Sequence, residues 1–200
     1  MFPKKLIFVA FVSLGLALPV SGQDAAKGAF LKGDIVYGSA TAPVEIIEYG
    51  SMTCPHCGHF GGDIFPQVKK ELVDTGKVRF VFRNFVRDRY DIAVASISRC
   101  TSDVNVTKAL LHDYFSRQED WMRASNPYEV IASIAEEHGV SRAEVGRCMS
   151  DQEVQTHLIE VTQDGIKTYQ IERIPFFLVN GKHLQNYSFE AIKAAVDAEG

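Results

Sequence analysis

Cys54-Pro55-His56-Cys57 places two thiols two residues apart, directly after an apolar run and directly before a plausible helix. A dithiol in that context reads as a redox couple. A structural staple is the competing reading, but a disulfide closing so small a loop removes little entropy from the unfolded chain.

The flanking pattern gives the motif its local architecture. Val44 to Tyr49 reads as a buried strand entered by Ala42-Pro43, and Val78 to Phe82 as a second strand, with Val78, Phe80 and Phe82 alternating against Arg79 and Val81. Between them Phe60, Ile64, Val68 and Leu72 recur at fourfold spacing, an apolar helical face ending near Thr75-Gly76. The motif therefore sits where a strand passes into a helix. Gly58, Gly61, Gly62 and Pro66 weaken that helix, and Pro66 predicts a kink.

From Tyr90 to about Tyr169 the pattern is wholly helical. Asn126-Pro127-Tyr128-Glu129 and Ser141-Arg142-Ala143-Glu144 each set a capping residue three before a Glu, and Gly139 is a natural stop. Val154, Leu158, Val161 and Gly165 mark one more helix. The chain then returns to strands at Phe176 to Val179 and Lys182 to Leu184, joined by the turn Asn180-Gly181. A last helix runs from Ser188 through Phe189, Ile192 and Val196.

The N-terminus predicts export. Lys4 and Lys5 form a short basic region, Leu6 to Leu18 is almost unbroken in its apolarity, and Val20-Ser21-Gly22 offers small residues for cleavage. The run falls short of the ~20 residues that cross a bilayer, which favours a signal peptide over an uncleaved anchor. Cleavage after Gly22 leaves 178 of the 200 residues, enough for one domain with a sizeable core or a compact domain carrying an insertion. The basic count falls from 21 to 19 against 25 acidic residues, a net charge of −6 that argues against nucleic acid. All four cysteines lie in the exported part, an even number suited to an oxidising compartment.

The chemistry of the motif follows from its position. Cys54 falls at or just before a helix N-terminus, where free N–H groups and the positive dipole end favour a thiolate. It is the attackable sulfur and the leaving thiolate; Cys57, one turn in and more buried, is its intramolecular partner. Each unit by which the Cys54 pKa falls below ambient pH stabilises the reduced form by about 1.4 kcal/mol, equivalent to about 30 mV of oxidising power. His56 can stabilise the Cys54 thiolate through its imidazole or be a solvent-facing spacer; His59 reads as a surface or groove residue. Pro55 restricts φ near the helix start. Glu48 interrupts an apolar strand, a pattern that by itself suits a solvent-facing edge.

Strand, CPHC helix, strand, helical block, Pro-led hairpin and helix together resemble a thioredoxin fold with an inserted all-helical domain. CPHC followed by Phe60-Gly61-Gly62, with Ile174-Pro175 before the hairpin, is similar to the DsbA-type periplasmic thiol oxidases, over essentially the whole mature chain. The resemblance implies a signal peptide over 1–22, thioredoxin-like parts over 23–89 and 170–200, and the helical insertion over 90–169. It places Glu48 beneath the disulfide as a proton-transfer group for Cys57. It makes Pro175, trans by base rate, a cis-proline beside the cysteines, preceded by a substrate-pairing residue, Ile174, bulkier than the Thr or Val common in relatives. Cys100 and Cys148 correspond to the second pair of a proteobacterial subgroup. A structural disulfide there, closing a loop of about 49 residues, would contribute on the order of 4 kcal/mol; a regulatory redox pair is the other reading.

The expected activity is thiol-disulfide exchange by a monomer that donates its disulfide to reduced exported polypeptides. A DsbB-like, quinone-linked membrane partner would reoxidise it, with no cofactor and no metal of its own. A disulfide isomerase or reductase of the same fold is the alternative, although Gln23 to Ala40 is short for a dimerisation region. A metal carrier using Cys54, Cys57 and His56 or His59 lacks a second CxxC or a well-spaced His pair. Asn105-Val106-Thr107 and Asn186-Tyr187-Ser188 match the glycosylation sequon, but a bacterial-type exported protein would leave both unmodified.

Overall fold

The central strand β2 (Val44–Gly50) is flanked on both sides, which accounts for its nearly continuous apolar sequence. It runs parallel to β3 (Val78–Asn84) in a register that sets Val44 opposite Val78 and Glu48 opposite Phe82. On its other side β4 (Phe176–Val179) lies antiparallel, with Glu48 opposite Phe177, and β5 (Lys182–Leu184) forms the outer edge. Asn180 and Gly181 join β4 to β5 with φ of 44° and 78°, the positive pair that a tight hairpin turn needs. The computed structural model describes residues 30–199, so the signal peptide expected over 1–22 lies outside the described residues. One strand escaped the sequence reading. β1 (Ile35–Tyr37) pairs antiparallel with β3, and its three residues are too few to show an alternation. The sheet order is β1-β3-β2-β4-β5.

The run that begins at the motif is helical without a break to Val73. It comprises α1 (Pro55–His59), a π-helical turn (Phe60–Ile64), α2 (Phe65–Val68) and a second π-helical turn (Lys69–Val73). The kink predicted at Pro66 takes this wider form. Phe65 donates to the Phe60 carbonyl five residues back, so Pro66 enters in the first turn of α2, where its missing N–H costs little. Phe60, Val68 and Leu72 of the predicted stripe are buried, and Ile64 is half-buried.

Between β3 and β4 the chain forms α3 (Arg89–Ser98), α4 (Val104–Ser116), α5 (Gln118–Met122), α6 (Pro127–Glu137), α7 (Arg142–Met149) and α8 (Gln152–Tyr169), and α9 (Phe189–Asp197) closes the chain. Ser141 and Glu144 make the reciprocal capping box expected of them at α7. Asn126 and Glu129 do not. The Asn126 side chain makes no capping bond, and Glu129 pairs with Arg142 at 2.6 Å. Gly139, φ 80°, follows the end of α6.

The sheet buries both faces. Ile46, Phe80, Phe82 and Phe177 join the larger core with Phe60, Leu110 and Ile192, while Ile47, Tyr49, Val81 and Leu178 pack with Ile171 on the opposite side. This alternation turns Glu48 to the side of Ile46, towards the motif helix. Two glycines after the motif are required by close approach. A Cβ on Gly58 would lie 2.5 Å from Gln118 Oε1, and one on Gly61 would lie 2.7 Å from the Phe115 ring. Glycines that weaken a helix in isolation here let it seat against α4 and α5.

Candidate active site

Cys54 is the N-cap of α1, with extended backbone (φ −87°, ψ 120°), and Pro55 takes the first turn, where a missing N–H breaks no helical bond. The Cys54 carbonyl accepts from Gly58 N at 2.9 Å, so Cys57 lies within the first turn behind it. Cys57 is fully buried and Cys54 is 4% exposed. Both are free thiols.

Their environments push the two sulfurs apart. The Cys54 thiol is held at about 5, well below its ordinary 9.0, first by the hydrogen bond from the Cys57 thiol. Partial burial opposes this, while the backbone N–H groups of Cys57 and His56 and the charge of Arg87 assist it. Cys57 is driven strongly upward, mainly by burial, then by its bond to Cys54 and the nearby charges of Glu48 and Cys54. Ser51 N–H, 3.4 Å from Cys57 Sγ, works weakly the other way. Deprotonation therefore begins at Cys54, and Cys57 retains its proton.

The Ile174-Pro175 bond is cis, and the Ile174 carbonyl lies 3.7 Å from Cys54 Sγ. Ile174 is half-buried and packs against both cores. Beside Pro175 a groove of about 670 Å³ is lined by Tyr169, Arg173, Phe176, His183 and Leu184, with the His183 ring stacked on Phe176 at 4.3 Å.

Glu48 does not face solvent, as its pattern alone allowed. It is 3% exposed because β2 is an interior strand, and its Oε1 has no hydrogen-bond partner among the described residues. Burial, and secondarily the charge on Cys54, holds its carboxyl well above the usual range, which favours its protonated form. It lines a cavity of about 670 Å³ whose walls include Gly61, Phe65, Phe82, Leu111 and Phe115.

His56 is exposed, and what it brings to the Cys54 thiolate is its backbone N–H. His59 is exposed and pairs with Asp63 at 2.8 Å. Cys100, just beyond α3, is joined by a disulfide to Cys148 of α7, with Cα atoms 5.6 Å apart, an ordinary span for such a bond. Among the described residues no cluster of three His, Cys, Asp or Glu side chains is placed to hold a metal ion.

Three residues near the motif went unseen in the sequence. Gln118 of α5 donates to the Met52 and Cys54 carbonyls at 2.8 and 3.1 Å, tying the helical block to the loop before the motif. Asp91 of α3 accepts from Met52 N at 2.8 Å and from Ser51 Oγ, and Arg87 reaches Ser51 and Thr53. None belongs to a recognisable motif. The one available signal was a polar Ser51-Met52-Thr53 loop between strand and motif, whose buried groups must find partners.

Comparison with known proteins gives a consistent result. The family model described as Thioredoxin matches residues 31–198. A Rickettsia bellii protein assigned as a protein-disulfide oxidoreductase is 35% identical over 165 residues, covering 82% of this chain and 63% of its own. The chain thus spans somewhat under two thirds of that relative's length. Disulfide bond formation protein D of Bacillus subtilis is 27% identical over 183 residues, covering 89% of this chain and 82% of its own. In fold, the crystal structure of Wolbachia pipientis alpha-DsbA1 superposes with a TM-score of 0.76 at 23% identity, covering 84% of this chain and 91% of that one. The chain belongs to the thioredoxin family, with the DsbA form of its fold.

Proposed function

We propose that this protein is a periplasmic thiol:disulfide oxidase that donates a Cys54–Cys57 disulfide to exported polypeptides. The observation that carries the reading is the asymmetry of the two sulfurs: a Cys54 thiol held at about 5 beside a Cys57 thiol driven strongly upward. A thiolate that stable makes Cys54 a good leaving group and the reduced form the favoured one, which is the property of an oxidant.

A substrate thiolate attacks Cys54 Sγ of the oxidised protein, the Cys54–Cys57 bond breaks, and its electron pair leaves on Cys57. Cys57 cannot keep a negative charge in its buried position, so it takes a proton, and Glu48, a buried carboxyl whose protonated form is favoured by burial, supplies it. A second substrate thiolate then attacks the substrate sulfur of the mixed disulfide. Cys54 departs as the stabilised thiolate, and the substrate leaves with a disulfide. The protein has gained two electrons, which a quinone-linked membrane partner of the DsbB type removes. The Ile174 carbonyl lies beside Cys54 Sγ, where an extended substrate segment would pair with the Ile174 backbone, and the bulk of Ile174 would bias which segments fit. The disulfide Cys100–Cys148 is structural in this scheme. Residues 90–169 act as a helical insertion between the thioredoxin-like parts.

A Cys57→Ala variant expressed in the periplasm tests the scheme by stalling mixed disulfides at Cys54. Recovery of many reduced exported proteins supports an oxidase, whereas equilibration of the native couple with glutathione as a reducing pair refutes it. Similarity to the crystal structure of a protein-disulfide isomerase from Novosphingobium aromaticivorans, 25% identical with a TM-score of 0.73, motivates the second reading, isomerisation. Rescue of a scrambled substrate would establish that reading instead.

A further inference from the structure

Beneath the motif the loop Ser51–Thr53 is held by a polar network from the start of α3. Asp91, its side chain 1% exposed, accepts from Ser51 Oγ, from Met52 N at 2.8 Å, from Arg87 N at 3.2 Å and from Thr53 Oγ1 at 3.4 Å. Arg87 lies over the same loop: its Nε donates to Ser51 Oγ at 3.1 Å and its Nη2 to Thr53 Oγ1 at 3.0 Å, with Nε 3.9 Å from Asp91 Oδ2. Asp88 caps α3 through Tyr90 N and Asp91 N and accepts from Thr53 Oγ1 at 3.2 Å. The network ends at the two sulfurs. Ser51 N donates to Cys57 Sγ, Ser51 O accepts from Cys54 N at 3.2 Å, and Arg87 is a cation whose field favours the Cys54 thiolate.

We propose that Arg87 and Asp91 form a positioning pair that sets how strongly the Cys54–Cys57 couple oxidises. Asp91 fixes the loop and the guanidinium fork; Arg87, so held, biases Cys54 towards thiolate. Neither touches the reacting sulfurs, so both act through position and charge. The inference rests on the reading of Cys54 and Cys57 as the redox couple.

The arrangement makes a prediction that charge alone does not. Burial pushes the Asp91 carboxyl up to about 6, so across the Cys54 transition near 5 it is largely a neutral acid, and its removal should by itself lower the thiol pKa or leave it unmoved. If Asp91 serves to hold Arg87 and the loop in place, its removal should raise it. The experiment is an ultraviolet thiolate titration of the reduced full-length mature protein, paired with its equilibrium against glutathione. The variants are Arg87→Gln, Arg87→Lys, Asp91→Asn and Ser51→Ala.

Arg87→Gln is expected to raise the Cys54 midpoint by about half a unit to one unit, at the low end for one partly exposed charge. That is a roughly three- to tenfold shift of the glutathione equilibrium, towards a less oxidising couple. Arg87→Lys, which keeps charge but loses the fork, should fall between that variant and the native protein. Asp91→Asn should move the midpoint up with Arg87→Gln. Should Asp91→Asn fail to fold, Ser51→Ala removes the hydroxyl bridging the pair and should give a smaller rise. An unmoved or lowered midpoint in Asp91→Asn or Ser51→Ala, or an unmoved one in Arg87→Gln, overturns the proposal. A native titration that persists in Cys54→Ser overturns the redox-couple reading and this inference with it. A titration abolished by Cys54→Ser but unmoved by Arg87→Gln overturns this inference alone.

Discussion

Protonating Cys54 should remove stability from the reduced protein and leave the oxidised protein indifferent. In the unfolded chain this thiol titrates near its ordinary 9.0, and in the folded reduced protein at about 5. A folded pKa below the unfolded one means that the unfolded chain binds the extra proton across the interval. Stability from this group is therefore complete above about pH 9 and is lost as pH falls through about 5. From neutral pH to well below the folded midpoint the full effect is about 2.7 kcal/mol, which solvent screening at a site open beside Cys54 reduces to about 1–2 kcal/mol. The assay is urea unfolding of both redox forms at neutral pH and just below pH 5. Carboxylates common to both forms cancel in the difference. The reduced form should lose about half to one molar in urea midpoint relative to the oxidised form as the pH drops. Curves that shift in parallel would refute a stabilised Cys54 thiolate.

Three further outcomes follow from the site and its supports. Glu48→Gln keeps shape but removes the proton, so folding stability should hold within about 1 kcal/mol. Substrate oxidation in stopped flow should slow by roughly tenfold, below the usual span for acid catalysis because attack at Cys54 itself needs no proton. Gly61→Ala drives a Cβ against the Phe115 ring and should cost about 1–3 kcal/mol in thermal unfolding, whereas Gly146→Ala, with open space around it, should be neutral or gain about 0.4–1 kcal/mol. Replacing Cys100 and Cys148 together by Ala should cost about 2–4 kcal/mol and leave the glutathione equilibrium of Cys54 unchanged; a shifted equilibrium would make the second pair regulatory.

What the sequence made legible was whatever depends on neighbours along the chain. The hairpin at Asn180-Gly181, the capping box at Ser141 and the strand-to-helix placement of the motif each rest on a few adjacent residues, and each is present in the structure. Hidden features depended on partners far away. Glu48 alternates like an edge residue, and only the pairing of β2 with both β3 and β4 buries it. Gly58 and Gly61 looked like helix breakers until Gln118 and Phe115 were placed against them. Asn126 had the right spacing to cap and lost its Glu129 partner to Arg142, thirteen residues further on. Arg87 and Asp91 carry no motif, since their meaning lies in a loop more than thirty residues earlier.

The same distinction bears on the origin of the Cys54 thiolate. Position in the sequence attributes it to the helix start, which every N-cap cysteine shares. The structure ranks the causes otherwise: the Cys57 thiol is the largest, with the backbone N–H groups and Arg87 behind it. On the proposed mechanism Cys57 is thus both the partner in the disulfide and the chief donor that keeps Cys54 ionised once the disulfide is open. Cys57→Ala, the variant that traps mixed disulfides, should accordingly raise the Cys54 midpoint. Its thiolate fraction near pH 7 should fall, and alkylation of its Cys54 at that pH should lose the flat pH dependence of the native thiol. Ultraviolet titration of the reduced variant checks this directly. A midpoint still at the native value would assign the depression to the helix start and strip Cys57 of its role as donor.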